Sequence, residues 1–157
     1  MIGAKPRRIL ITGGNAGLGL ALAKKLAGRH QLLLSGRKSQ DEVAGLLPYG
    51  AGYIVADQKD PAVSAQALVK GIWDFGWDGL DNAVLNAGMA IASRDGIDTA
   101  DAIRETLDVN LLAAMLQAQA LYPLLEKSNG TLTFIGSVAH QVSALLPAYA
   151  ASKAGLQ

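Results

Sequence analysis

Two hydrophobic rhythms take turns along the chain. The first is a set of short runs built around consecutive apolar residues: Arg8-Ile9-Leu10-Ile11-Thr12, Leu32-Leu33-Leu34 closed by Ser35-Gly36, Tyr53-Ile54-Val55-Ala56 ending at Asp57, Leu80 to Leu85, and Thr131 to Ile135. Runs of this kind, bounded by Gly, Asn or Asp, read as buried strands. The second rhythm lies between them, with apolar residues three or four apart. Leu18, Leu22 and Leu26 mark one stripe of a helix over Gly17 to Arg29, and a weaker helix covers Gln40 to Leu47. Asp60-Pro61 places an N-cap before a proline at the first helical position, opening a helix that reaches about Trp73. After a polar loop, Ser93 to Asp98, either Asp98 or Thr99 caps the longest helix, which reaches about Lys127. Its stripe is Ile103, Leu107, Leu111 and Met115, and Asn129-Gly130 ends it. Pro147 opens a last helix, cut by the chain end at Gln157.

Wholly apolar strands alternating with helices require a parallel sheet covered on both faces. Right-handed crossovers turn that pattern into a doubly wound α/β sheet of Rossmann type. No repeat, low-complexity tract or linker interrupts it, so residues 1–157 read as one domain.

Composition narrows the function classes. A chain of 157 residues that is 50% hydrophobic can bury a real core and is too apolar to be disordered. With no cysteine, a disulfide framework, a thiolate metal site and a cysteine nucleophile are excluded. Fourteen basic against thirteen acidic residues leave +1, which gives no footprint for nucleic acid or an anionic membrane. An aromatic content of 5% argues against a base-stacking surface. Apolar stretches such as Leu111 to Ala114 fall far short of the ~20 residues of a membrane span. Ile9 to Ile11 is too short for the core of a signal peptide. The expectation is a cytoplasmic protein.

The candidate chemistry sits where strands end. Thr12-Gly13-Gly14-Asn15-Ala16-Gly17-Leu18-Gly19 joins the first strand to the first helix. Glycines there allow a sharp turn and close approach of backbone to a pyrophosphate, and the helix N-terminus offers N–H groups to the anion. Asn86-Ala87-Gly88 ends the fourth strand. Tyr149 and Lys153, at i and i+4, share one helix face, where an ammonium beside a phenol favours the phenolate. A phenol so placed is a proton donor to a carbonyl oxygen, or an acceptor in reverse. Ser137 ends the strand before them, twelve residues upstream of Tyr149, and its hydroxyl can donate to the same oxygen.

The spacing Thr-Gly-x3-Gly-x-Gly, with Asn-Ala-Gly and Ser…Tyr-x-x-x-Lys in order behind it, resembles the classical short-chain dehydrogenase/reductase family over essentially the whole chain. The resemblance implies an oxidoreductase that transfers hydride between NADP(H) and a small carbonyl or alcohol substrate. It implies cofactor contacts from Gly13, Asn15, Gly17, Leu18, Gly19, Arg37, Asp57, Asn86, Ala87, Gly88, Tyr149 and Lys153. It makes Ser137, Tyr149 and Lys153 a catalytic triad, with Lys153 also holding the nicotinamide ribose. Asn110 would distort its helix and order a water in a proton relay to Lys153. In NAD-preferring relatives an acidic residue closes the second strand. Here Gly36 stands there, followed by Arg37, whose guanidinium suits a 2′-phosphate, so NADP is preferred and NAD is the second choice.

Several positions depart from the family pattern. Ala16 occupies the place of the middle glycine of the extended, epimerase-containing branch and argues against that branch. Gln58 replaces a commoner apolar residue, and Leu85 replaces the first Asn of Asn-Asn-Ala-Gly. The chain ends four residues after Lys153, where family members continue. The expectation is therefore a C-terminally incomplete form of a longer homo-oligomeric enzyme, with Thr131 to Ile135 as an edge strand. The alternative is a non-catalytic NAD(P)-binding regulatory or interaction protein. The remaining candidates read more plainly: His30 stabilising a helix end, His140 at the surface, and Trp73 and Trp77 as packing residues. Asp95, Asp98 and Asp101 belong to a loop and cap, so no metal site is expected.

Overall fold

The computed structural model describes residues 5–91, 98–139 and 146–157. Five strands form one parallel sheet in the order β3-β2-β1-β4-β5: β1 (Arg8–Thr12), β2 (Gln31–Gly36), β3 (Gly52–Val55), β4 (Asn82–Leu85) and β5 (Thr131–Phe134). Helices α1 (Gly17–Leu26), α2 (Gln40–Val43), α3 (Pro61–Asp74), α4 (Ala100–Leu107), α5 (Ala113–Lys127) and α6 (Pro147–Ala154) accompany them. The doubly wound α/β architecture expected from the strand pattern is the one present. Strand alternation sends Ile9, Ile11, Leu32 and Leu34 to one face, against Ala23 of α1. Leu10, Leu33, Ile54, Ala83 and Leu85 pack on the other face, under Leu68 and Ile72 of α3 and Leu121, Leu124 and Leu125 of α5. Both faces are therefore dry over β1 and β2, which carry no polar alternation, whereas β5 at the sheet edge reads Thr131-Leu132-Thr133-Phe134 and is largely exposed.

The longest helix, expected from Asp98 or Thr99 to about Lys127, differs from expectation. It is two α-helices joined by a π-helical segment, Asp108–Leu112. The widened turn resets the helical phase. Ile103 and Met115 of the anticipated stripe are exposed (39% and 56%), and the buried face is Thr106, Val109, Asn110, Ala113, Ala114, Gln117 and Leu121. The small alanines let α5 approach α3, where Gln117 Nε2 donates to Ser64 Oγ at 3.2 Å, both residues buried. A Schellman turn ends α5: the Asn129 N–H bonds to Glu126 O (3.1 Å) and the Gly130 N–H to Leu125 O (2.8 Å), with Asn129 at φ +50°.

Smaller differences have local causes. β4 begins at Asn82 because the Leu80 N–H is taken by Leu124 O at 2.9 Å. α1 stops at Leu26, before Gly28 at φ +76°. α2 is a single turn closed by a Ser39–Glu42 capping box. Trp77 is buried and packs edge-on against Phe75, whereas Trp73 is 54% exposed. His30 does serve the helix end, its N–H donating to Leu26 O at 3.3 Å, and its Nδ1 also accepts the Arg7 N–H at 3.2 Å at the entry to β1. Asp60 and Thr99 are the N-caps foreseen, accepting from Val63 and Ala102. The Ser93 to Asp98 loop (apart from Asp98), Asp95 and His140 lie outside the described residues. Among the described residues no helix is long and apolar enough to cross a membrane.

Candidate functional site

The strand order reverses between β1 and β4, and loops leaving their C-terminal ends diverge there into a crevice. Thr12, fully buried, closes its base. Its Oγ1 accepts the N–H groups of Asn86 and Ala87, both at 3.0 Å. Asn86 Nδ2 returns the contact by donating to Thr12 O (3.0 Å) and Gly13 O (3.4 Å). Gly13 turns at φ +63°, and a Cβ there would lie 3.0 Å from Ala87 Cα. At Gly19 a Cβ would lie 2.4 Å from Gly13 O, so only glycine lets α1 rest against the loop. The N-cap of α1, Ala16, has no side-chain oxygen to turn onto the helix N-terminus, whose partial positive charge faces the crevice.

The β2 and β3 ends form the far wall. Gly36 is buried, and a Cβ on it would lie 2.3 Å from Asn15 Oδ1 and 2.7 Å from Tyr53 Oη. Arg37 and Lys38 follow, both exposed. Tyr53 Oη donates to Lys38 O at 3.2 Å. The Ser39 N–H and Oγ–H donate to Glu42 Oε2 at 2.8 and 2.9 Å, and the Ser39 N–H holds the Glu42 carboxyl below its usual range. Asp57 Oδ1 accepts the Lys59 N–H at 3.0 Å, and Lys59 Nζ pairs with Glu105 Oε1 at 2.6 Å. The open cleft measures about 640 Å³. Gly13, Asn15, Gly17, Leu18, Arg37, Asp57, Asn86, Ala87 and Gly88 all line it, together with Lys38, Gln58 and Lys59. Leu18 lines the cleft at 62% exposure and so leaves the apolar stripe anticipated for α1; Leu22 and Leu26 remain against the core.

A second hollow, about 260 Å³, adjoins the first through Asn86, Gly88, Met89 and Ala90, and adds Ile135, Gly136, Tyr149 and Lys153. Lys153 is 4% exposed; its Nζ donates to Ile135 O at 2.8 Å and lies 5.9 Å from the Tyr149 ring centre. Burial pushes its pKa down. Asn110, on the π segment, is buried behind this hollow. Its Oδ1 accepts the Met89 N–H, its Nδ2 donates to Met89 O (both 2.8 Å), and Nδ2 also reaches Ser152 Oγ at 3.0 Å. Ser152 Oγ in turn donates to Tyr149 O at 2.7 Å.

Of the anticipated site residues, Gly19 lies beneath the cleft rather than in it, and the side chain of Asn110 bonds Met89 and Ser152. Ser137 stands after β5 with its Oγ accepting the Ala139 N–H at 3.1 Å, and it is not among the described residues lining the hollow. Asp98 does not cap α4; its Oδ2 accepts the Ala148 N–H at 3.1 Å, in the first turn of the helix that carries Tyr149. Sequence reading missed this contact, the Asn110–Met89 pairing and the Tyr53–Lys38 bond. Each joins residues brought together only by the fold, and no local spacing signals them.

The chain belongs to the short chain dehydrogenase family, whose model matches residues 7–157. It is similar to an uncharacterised oxidoreductase of Mycobacterium tuberculosis, 30% identical over 166 residues that cover 100% of this chain and 66% of the relative. A short chain dehydrogenase of Burkholderia cenocepacia solved in complex with NADP superposes with a TM-score of 0.81 at 35% identity, covering 96% of this chain and 64% of that one. An NADH-dependent reductase of alginate metabolism superposes at 0.82 with 27% identity, covering 97% and 68%. The chain thus spans 66% of the length of that mycobacterial relative.

Proposed function

We propose that this chain is a single dinucleotide-binding domain of a short-chain dehydrogenase/reductase that uses NADP(H) to interconvert a small carbonyl compound and its alcohol. The observation that carries this reading is the continuity of the 640 Å³ cleft with the hollow holding Tyr149 and Lys153. The residues present fit a dinucleotide. Backbone at Gly13 to Leu18 and the N-terminus of α1 suit a pyrophosphate, and Asp57 at the far end suits a base amino group. Arg37, Lys38 and Lys59 suit a 2′-phosphate. The crowding of Gly36 by Asn15 and Tyr53 disfavours the carboxylate an NAD-preferring site would place there.

A bound nicotinamide dinucleotide supplies or takes up the hydride. Tyr149 gives the proton from Oη to the substrate carbonyl oxygen, or receives it in the oxidative direction. Lys153 orients the phenol and binds the ribose, and Ser137 donates a hydrogen bond to the same carbonyl oxygen. Asn110 acts behind them by fixing Met89 and, through Ser152, the turn that carries Tyr149. Exposed Ile103, Leu112, Met115 and Tyr122 on α4, the π segment and α5 support self-association through that helical face.

Calorimetric titration with NADPH and NADH tests the cofactor reading. NADPH should bind more tightly, NADH binding more tightly would overturn the Arg37 assignment, and binding of neither would overturn the site. Tyr149→Phe should remove at least 99% of any carbonyl-dependent NADPH oxidation (~10²-fold or more) while leaving NADPH affinity within about twofold. Turnover that survives the substitution would refute the acid–base role. NADPH binding without turnover of any carbonyl would favour the non-catalytic alternative.

A further inference from the structure

We infer that Tyr53, on β3 and outside the glycine loop and the basic turn, is a specificity-determining residue that selects a 2′-phosphorylated adenosine ribose over an unphosphorylated one. The inference rests on the NADP(H) reading above. Two contacts of one hydroxyl carry it. Tyr53 Oη lies 2.7 Å from where a side chain on Gly36 would begin, and Asn15 Oδ1 lies 2.3 Å from the same point. The space that a carboxylate for an unphosphorylated ribose would need is thus taken by Asn15 Oδ1 and Tyr53 Oη together. The same Oη donates to Lys38 O at 3.2 Å, so it pins the backbone of the turn that presents Arg37 and Lys38.

The surrounding chemistry makes the pin effective. The Tyr53 ring packs against the buried cluster that contains Leu32 and Leu34, so the hydroxyl is held from below by the sheet. One residue past Lys38, Ser39 is held by Glu42 through its N–H and its hydroxyl. The turn is therefore fixed at Lys38 and again at Ser39, and the two cations do not have to order their backbone when an anion arrives. Burial, and then the Glu42 charge, push the Tyr53 phenol up, which keeps it a donor at neutral pH. An ionised phenol would be repelled by Glu42 and could not donate to Lys38 O, so the protonated form is the functional one.

The test uses half-cofactors, which read the adenosine end without any turnover. Affinities of the chain for 2′,5′-ADP and 5′-AMP are measured by calorimetry before and after Tyr53→Phe, which keeps the ring and removes the hydroxyl. A urea midpoint within about 0.5 M of the original confirms that the fold is intact. The expected result is that the parent chain prefers 2′,5′-ADP and that Tyr53→Phe narrows the preference about 3–10-fold, with 5′-AMP affinity unchanged. An unchanged preference in the variant overturns the inference and leaves the NADP(H) reading standing. Equal weakening of both ligands also overturns it, because Tyr53 would then only build the wall. No preference in the parent chain brings down both readings.

Discussion

Thr12→Val tests whether the base of the cleft is held as its geometry requires. Thr12 is fully buried, and its Oγ1 is the acceptor for two backbone N–H groups, Asn86 and Ala87, at 3.0 Å each. Valine keeps the shape and β-branching and deletes the acceptor. Each N–H left without a partner costs about 1–3 kcal/mol when fully buried. The Ala87 N–H is half-buried and would lose its acceptor at about 1 kcal/mol; the Asn86 N–H keeps Val84 O at 3.1 Å and loses one hydrogen bond, about 1 kcal/mol more, for about 2 kcal/mol in all. Thr12→Ser makes the opposite cut, keeping the acceptor and deleting one buried methyl at about 1 kcal/mol. With a urea slope of about 2 kcal/mol/M, valine should lower the unfolding midpoint by about 1 M and serine by about half as much. Equilibrium urea unfolding followed by circular dichroism reads both. The slope should stay constant, and the valine chain should bind NADPH less tightly because Asn86 and Ala87 lose their common anchor. A serine variant less stable than the valine one would refute the reasoning, since shape and not the acceptor would then govern the site.

Gly19→Ala places a Cβ 2.4 Å from Gly13 O and 2.6 Å from Asn86 Nδ2, so it should reduce NADPH affinity by ~10-fold or more and lower the urea midpoint; unchanged affinity by calorimetry would show that α1 can back away from the loop. Lys127, then Arg8, hold the Asp78 carboxyl at about 2 against an ordinary 3.8. A depressed folded-state pKa stabilises above the unfolded value, so this contribution is complete above about pH 4 and is lost as pH falls through about 2. Urea midpoints measured between these pH values should fall less steeply in Asp78→Asn than in the parent chain, and identical slopes would show that the two ion pairs add nothing.

The strands and the site loops were legible because their determinants are local. Five apolar runs need only their own residues to declare a sheet buried on both faces. Gly13 to Gly19, Asn86 to Gly88 and the Tyr149–Lys153 pair each lie within one turn or one helix face. The misreadings came from residues whose surroundings are set elsewhere. The spacing of Ile103, Leu107, Leu111 and Met115 is regular, but the π segment rotates α5 against α4, and the buried face is built from Ala113, Ala114 and Gln117 instead. Leu18 fits a helical stripe and is nevertheless turned toward the cleft by the glycine loop before it. Trp73 and Trp77 look equivalent in sequence, yet only Trp77 falls after the turn that brings it under the sheet edge. Tyr53 reads as one more strand residue until the pairing of β2 with β3 sets it beside Gly36.

The pairing of Asn110 with Met89 has a mechanical consequence. A carboxamide that takes both the N–H and the C=O of one residue does what a neighbouring strand does, so β4 is in effect spliced to a helix four residues beyond its last ladder position. Sheet and helix then act as a single beam up to Met89. Pulling Met89 away breaks two hydrogen bonds at once, so the floor of the hollow, with Gly88 and Lys153 on it, is tied to the sheet on one side and to the π segment on the other.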